Sequence, residues 1–522
     1  MNMKKLLLQV FAIVTTVAIV NKASAQVRYL DPVFSSVNKT SNIEYDSNRS
    51  LNILYGTPYP IGNQPFITFK LKCDIYEPAG DTVTRRPLII MLSTGSYLPP
   101  IINRQTTGSK DDSSIVEMCT RFAQKGYVVV AMNYRSGWNA ATTVQADAAE
   151  QLIKVTYRAL QDVRNCVRFM KSNASTYKIN TNKICVGGQG TGGYVALGLA
   201  TIDKRAEIES NPKFQRSNFS PMISVDTLGD WNGVGGAPYF NFSGDPSINA
   251  DVQMVFNYGG ALGDSAWLEA NSLPMIGIQS KGDIFAPYNT GNVVVPTTGI
   301  TVIPNASGAG DFIPSANAKG VNTKMNAKNY TDPFTVRAMQ ASGGVKAVFP
   351  FITSFPIDGS PWEWWDIATA QAITAVMYQG YPVPANGRAA DSLSRLTNPT
   401  MSAAKARAYI DTIQGFVCPR IATQLDLISA PSTSVKEISN INNILSVYPN
   451  PANTNVNISV DITKAGISEI NLMDVAGKII STISEVNAHD YNLNLSNMSQ
   501  GIYFVNVKLT NGVSATKRLM IN

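Results

Sequence analysis

A doubly wound, mostly parallel α/β sheet followed by a small all-β, immunoglobulin-like sandwich is the fold class predicted for this chain of 522 residues. Three observations predict it. Strand and helix patterns alternate over residues 71–193, a Pro/Ser/Thr-rich stretch follows much later, near residue 430, and short alternating strands separated by turn residues close the chain.

With 44% hydrophobic and 15% charged residues, the chain has enough apolar material for a full-sized core and is too long for one ordinary domain. Residues 1–25 read as a secretory signal: Lys4 and Lys5 form a basic start, residues 6–20 an apolar run, and Ala23-Ser24-Ala25 a small-residue cleavage site. The mature chain then starts at Gln26. Residues 6–20 fall short of the about 20 apolar residues a bilayer span needs. No later stretch is long and apolar enough either, so the mature chain is expected to have no transmembrane segment. No cysteine follows the cleavage site, which argues against a lipid anchor. Removing the signal leaves 40 basic against 36 acidic residues, a net charge of +4, too small and too scattered for a nucleic-acid partner.

The main domain is expected over residues 26–429. Residues 71–76 and 87–92 are short apolar runs that read as strands. A helix follows with Ile115, Met118, Cys119 and Phe122 on one face, Ser113 and Ser114 as cap candidates and Gly126 as its stop. Residues 127–132 form an unbroken apolar strand, as expected where helices cover both faces of a parallel sheet. Leu152, Val155, Ala159, Val163, Val167 and Met170 recur at helical spacing, residues 183–186 read as a strand, and residues 194–201 open another helix. Residues 205–251 and 288–330 are rich in Gly, Asn, Ser and Pro without clear periodicity and read as insertions over one end of the sheet.

Five cysteines, Cys73, Cys119, Cys166, Cys185 and Cys418, are few for this length, and an odd number leaves at least one free thiol or an intermolecular bond. Cys166 falls in the long helix and Cys185 in a buried strand, where a small apolar core role is expected. Residues 430–443, with Pro431, Ser432, Thr433 and Ser434, read as a linker. Beyond it, residues 455–462, 469–473, 491–495 and 501–509 read as strands, and Asn511-Gly512 as a hairpin turn, which together predict a small sandwich over 444–522.

Between the strand ending at Val186 and the helix near Tyr194 the sequence reads Gly187-Gly188-Gln189-Gly190-Thr191-Gly192-Gly193. Strand, Gly-rich turn, helix is the context of the G-x-S-x-G nucleophile elbow, with Gly188 and Gly192 as the outer glycines and Gly190 where the serine belongs. Glycine has no atom with which to attack a carbonyl, and Thr191 follows the nucleophile position, where the backbone N–H serves the oxyanion. The same glycines fit G-x-G-x-x-G, but the polar residues 204–211 contain no second strand to carry the acidic residue of a dinucleotide site, and no cofactor is expected. No His/Cys/Asp/Glu cluster has metal-ligand spacing, so no metal is expected. Asp74, Asp111 and Asp112 read as cap and surface residues.

Residues 71 to about 287 resemble the carboxylesterase-like branch of the α/β-hydrolase family. The resemblance rests on Leu71-Lys72-Cys73-Asp74-Ile75-Tyr76-Glu77-Pro78, Asn133-Tyr134-Arg135, Arg158-Ala159-Leu160-Gln161-Asp162 and the elbow. It implies that Ser93-Thr94-Gly95-Ser96 stands where the family carries its oxyanion loop, without that loop's histidine, and that Asp283 corresponds to the acid of the triad. An isolated loop aspartate is also an ordinary turn residue. The triad's base is an imidazole that takes and returns a proton, whereas the sole histidine, His489, lies in the C-terminal region. After a late strand at 345–352, where the family's base would follow, Asp358 and Glu363 are the only titratable candidates. Trp362, Trp364 and Trp365 beside them suit either an aromatic binding surface for a sugar or protein, or packing against a helix at 367–377, and packing is favoured because large aromatics are usually buried.

Residues 444–522 are similar to the C-terminal sorting domain of the type IX secretion system of Bacteroidota. The matching features are Tyr448-Pro449-Asn450-Pro451, Asp474-Val475-Ala476-Gly477-Lys478, Leu495-Ser496, Gly501-Ile502-Tyr503-Phe504-Val505 and Lys517-Arg518-Leu519. The resemblance implies the type IX secretion machinery as partner and export to the medium or the outer-membrane surface. The chain therefore reads as a secreted or cell-surface pseudoenzyme, a binding protein or subunit of an outer-membrane or surface complex. The alternative is a secreted esterase or carbohydrate-esterase-like hydrolase with a rearranged site, which requires Asp283 or Glu363 within hydrogen-bond reach of a Ser or Thr.

Overall fold

The computed structural model describes residues 26–51, 66–140, 142–295, 298–353, 358–377, 389–428, 445–460, 466–475, 478–510 and 514–522. The expected signal at 1–25, the linker at 430–443 and the Asn511-Gly512 turn lie outside these residues. Two compact units divide the chain, Met1–Ile428 and Ser429–Asn522.

The first unit is built on strands β1 (Val37–Leu51), β2 (Phe66–Pro78), β3 (Arg86–Leu92), β4 (Val128–Met132), β5 (Ile179–Gln189), β6 (Met254–Tyr258) and β7 (Met275–Ser280). A hairpin, β8 (Thr290–Val294) with β9 (Thr301–Ser307), precedes the last strand, β10 (Val348–Phe351). The sheet order is β1-β2-β4-β3-β5-β6-β7-β10; β1, β2 and β4 pair antiparallel, and every pair from β4-β3 to β7-β10 is parallel.

Every residue of β3, β4, β6, β7 and β10 is buried, which is why apolar side chains dominate these strands. Their alternation feeds two cores. Leu88, Ile90, Leu92, Val128 and Val130 pack with the helices Gln145–Ser172 and Thr191–Thr201 on one face. Ile89, Met91, Val129 and Ala131 pack on the other with the helices Ser113–Gln124 and Ala403–Gln424. Cys166 and Cys185 are core residues as expected, and all five cysteines are buried free thiols.

Three readings are corrected. Asp74 is fully buried, because Lys39 (2.8 Å) and Lys110 (2.9 Å) supply the counter-charge; burial opposes its ionisation, yet these lysines hold its carboxyl below the ordinary value. Asp112, not Ser113 or Ser114, is the helix N-cap residue, and it is buried, accepting from the N–H groups of Gly108 (2.9 Å) and Ser109 (3.2 Å). Residues 288–330 hold the β8–β9 hairpin and the helix Ala309–Ala318 rather than irregular insertion alone.

One buried ion pair joins two segments of the hydrolase-like pattern. Arg135 donates to Asp162 from its backbone N (2.6 Å) and its Nε (2.7 Å), and its other guanidinium nitrogens reach the carbonyls of Arg49 and Arg158 (both 3.1 Å) and Gln161 Oε1 (3.0 Å). Both side chains are fully buried, so the loop after β4, the strand β1 and the helix Gln145–Ser172 share one set of bonds.

The second unit has two antiparallel sheets, β11 (Leu445–Tyr448), β12 (Asn455–Val460) and β15 (Asp490–Asn494) in one, and β13 (Ile467–Met473), β14 (Ile479–Ala488), β16 (Gly501–Leu509) and β17 (Ser514–Ile521) in the other. Val456, Ile458 and Val460 alternate inward to meet Ile470, Leu472, Val505 and Val507. Among the described residues no helix is long and apolar enough to cross a membrane.

Candidate functional site

Strand β5 runs to Gln189 and the next helix begins at Thr191, so the turn is made by Gly190 alone, at φ +51° and ψ −114°. Its N–H donates to Tyr258 O (2.9 Å), fixing the turn to β6, and its carbonyl accepts from Gly193 (2.9 Å) and Tyr194 (3.2 Å). A Cβ at Gly188 would stand 2.0 Å from Gly192 O, so both outer positions depend on close backbone approach.

A side chain at Gly190 would meet Thr94: an ideal Cβ there lies 2.2 Å from Thr94 Oγ1 and 2.9 Å from Thr94 Cβ. The space above the turn is thus filled from the loop after β3. That loop turns through left-handed conformations at Gly95 (φ 125°), Ser96 (φ 56°) and Tyr97 (φ 55°). It is held by Trp138 Nε1 donating to Ser96 O (2.7 Å), Tyr134 Oη to Ser93 O (2.7 Å) and Tyr97 Oη to Thr191 O (3.1 Å).

Thr94, Gly95, Gly190, Thr191, Asp283, Trp362 and Glu363 all line one cavity of about 790 Å³. Asp283 Oδ1 accepts from the N–H groups of Phe285 (2.8 Å) and Ala286 (3.2 Å), an Asx turn, and burial pushes its carboxyl up to about 7. The loop after β10 passes beside it: an ideal Cβ on Gly359 would lie 3.5 Å from Asp283 Oδ1. Glu363 accepts from Gln189 Nε2, while Gln189 Oε1 accepts from Ser114 Oγ (3.1 Å). Burial, then the nearby Asp112, pushes Glu363 up to about 8. Asp112 is itself pushed up to about 7 by burial.

Asp358 is directed elsewhere, to Lys405 Nζ (2.6 Å). The three tryptophans separate. Trp362 is buried and lines the cavity, Trp365 is buried with its Nε1 on Asp391 (2.9 Å), and Trp364 lies under Arg407. Among the described residues neither Asp283 nor Glu363 meets a Ser or Thr hydroxyl within hydrogen-bond reach; their partners are backbone N–H groups and Gln189. His489 belongs to the second unit, between β14 and β15. Gln189, Asp112, Gly359, Tyr97 and Trp138 are site residues that sequence reasoning missed. Only the position of Gln189 inside the elbow carried a local signal.

Residues 73–242 match the BD-FAE family model, and residues 446–522 match the secretion system C-terminal sorting domain. No curated protein matches the chain. Among solved structures, a propionate-bound esterase from the planctomycete Thermogutta terrifontis is 14% identical, covering 59% of this chain and 86% of its own, with a TM-score of 0.32. Esterase 2 of the same organism phosphorylated by paraoxon is 16% identical, covering 59% and 83%, with a TM-score of 0.30. The first unit has an esterase-like α/β-hydrolase fold with a mostly parallel central sheet, and an all-β region follows it. The sorting domain marks the protein as handled by the type IX machinery and as secreted or attached to the cell surface.

Proposed function

We propose that this exported α/β-hydrolase-fold protein is a pseudoenzyme that binds a small molecule in its cavity without cleaving it, acting at the cell surface as a binding protein or complex subunit. The observation that carries the reading is the turn at Gly190. The side chain that would be the nucleophile is absent, and Thr94 Oγ1 stands 2.2 Å from where its Cβ would be. Covalent catalysis needs a nucleophile within hydrogen-bond reach of a base. Around this turn the carboxyls bond to backbone N–H groups and Gln189, not to a hydroxyl, and the phenol that meets a hydroxyl, Tyr134 on Thr191 Oγ1 (3.2 Å), is raised by burial and so is a poor base.

A second reading keeps chemistry in the same cavity. Asp283 and Glu363, pushed to about 7 and about 8, have the values a general acid or base needs near neutral pH, and both line the pocket. The two readings separate on one experiment. The secreted protein is treated with a fluorophosphonate probe and assayed with p-nitrophenyl acetate, beside Asp283→Asn and Glu363→Gln. The binding reading expects no covalent label and no turnover above background. Turnover lost in either variant, or a label mapped to the cavity, would overturn it.

A further inference from the structure

The charged lining of the cavity is one-sided. Asp283 and Glu363 both line it, whereas the one cation among the described lining residues is Arg104, which is exposed. Glu363 is only 6% exposed; its Oε1 accepts from Gln189, and its Oε2 has no partner among the described residues. The groups acting on Glu363 from neighbouring elements are Asp112, Asp283 and Asp358, all acids, together with Tyr258. Lys405 is bonded to Asp358, and among the described residues no cation is bonded to Asp283, which has Tyr194 beside it; Lys281 is exposed over the Tyr288 ring. The walls are aromatic. Tyr97, Trp138 and Tyr194 line the cavity while their polar atoms donate to the backbone carbonyls of Thr191, Ser96 and Phe285; half-buried Tyr194 offers the most ring surface, and Tyr97 and Trp138 are each 4% exposed. Ile284 and Leu396, also lining residues, are 49% and 60% exposed and extend the apolar surface outward.

We propose that the cavity takes an organic cation, an ammonium group on an apolar body, with the ammonium on the carboxyls of Asp283 and Glu363 and the body against Tyr97, Trp138 and Tyr194. The inference rests on the binding reading of this pocket. Glu363 is buried and Asp283 is half-buried at the cavity wall, and carboxyls desolvated there without a counter-charge hold their protons, because ionisation is costly. A bound cation supplies the missing charge, and aromatic rings attract cations within about 6 Å of their centroids. An anion would oppose ionisation of the acids and bind less well as pH rises, and an uncharged ligand would gain nothing from ionising them. Cation binding must therefore release protons and strengthen as pH rises.

Titration calorimetry of the full secreted chain with phenylpropylammonium, phenylpropanol and phenylpropanoate, which share one apolar body, tests this at about pH 6 and about pH 8. The ammonium should bind at least about tenfold more tightly than the alcohol at the higher pH, and lose about tenfold at the lower. Its heat should depend on the ionisation enthalpy of the buffer, reporting released protons. Asp283→Asn and Glu363→Gln, which preserve shape, should each weaken the ammonium about tenfold at the higher pH and leave the alcohol unchanged. Equal or tighter binding of the alcohol or the carboxylate, pH-independent binding of the ammonium, or binding of none of the three overturns the proposal. Failure of the binding reading looks different: it is a covalent label or ester turnover, whatever the order of the three ligands.

Discussion

Serine at position 190 tests how the turn is built. Holding a side chain at φ +51° and ψ −114° costs about 1–3 kcal/mol. Its Cβ would also fall 2.2 Å from Thr94 Oγ1 and 2.9 Å from Thr94 Cβ, well inside van der Waals contact. Displacing a β-branched side chain from a packed loop costs about 1–3 kcal/mol more. Gly190→Ser should therefore lower the unfolding free energy by roughly 2–6 kcal/mol, read from denaturant titration. Thr94→Gly in the same chain should recover the steric part, about 1–3 kcal/mol, and leave the backbone part. Neither variant should hydrolyse p-nitrophenyl acetate, since the new hydroxyl has no base. Adding Gly359→His places a ring beside Asp283, with its Cβ 3.5 Å from Oδ1, and only this triple variant should take a fluorophosphonate label. A Gly190→Ser protein as stable as the parent, or a double variant that recovers nothing, would refute the claim that Thr94 fills the nucleophile's space.

Three further outcomes are expected. Asp162→Asn leaves Arg135 buried with half its ion pair removed and should cost about 3–5 kcal/mol in denaturant unfolding, whereas a loss under about 1 kcal/mol would mean that water reaches the guanidinium. Glu363 has its carboxyl raised to about 8, so the native state holds a proton that the unfolded chain has released. Its stabilising effect is complete below the ordinary carboxyl value and is lost as pH rises to about 8; relative to Glu363→Gln, the parent should lose about 1.4 kcal/mol per pH unit between about pH 5 and about pH 7. All five cysteines are buried and unpaired, and burial pushes the Cys418 thiol up to about 12, so a thiol reagent should leave the native protein untouched and titrate five thiols in denaturant.

Local patterns carried the parallel strands and the elbow into view, and long-range partners hid the rest. Strands β3 and β4 and the buried end of β5, Ile184–Val186, were legible because burial on both faces writes an apolar run into each. Strand β1 was not: it is an antiparallel edge strand whose first half, Val37–Glu44, is mostly exposed and polar. The β8–β9 hairpin is similarly half-exposed and glycine-containing. Asp74 reads as a surface residue because the lysines that answer its buried charge lie far off in sequence, and Asp112, rightly read as a cap, is buried by packing that its own segment does not show. Lys39 and Lys110 answer Asp74, and the N–H groups of Gly108 and Ser109 answer Asp112. The cavity shows the same division. Gly190 and Asp283 were visible in their own segments, whereas Tyr97 and Trp138 are brought to it by the fold from the loops after β3 and β4, and Gly359 is brought beside Asp283 from the loop after β10.

The surviving glycines of the elbow are explained by packing, and so they say little about chemistry. A Cβ at Gly188 would overlap Gly192 O at 2.0 Å, and one at Gly192 would press on Leu92 O at 2.6 Å and Ser93 O at 2.7 Å. Strand β5, the turn and the following helix therefore need these glycines to sit against β3 whether or not a nucleophile rides on the turn. Position 190 is under a different constraint. Its backbone angles favour glycine, and Thr94 removes the alternative that active hydrolases accept, a strained serine with room above it. The recognisable features of the elbow are thus set by packing against β3, and position 190 by its backbone angles and by Thr94.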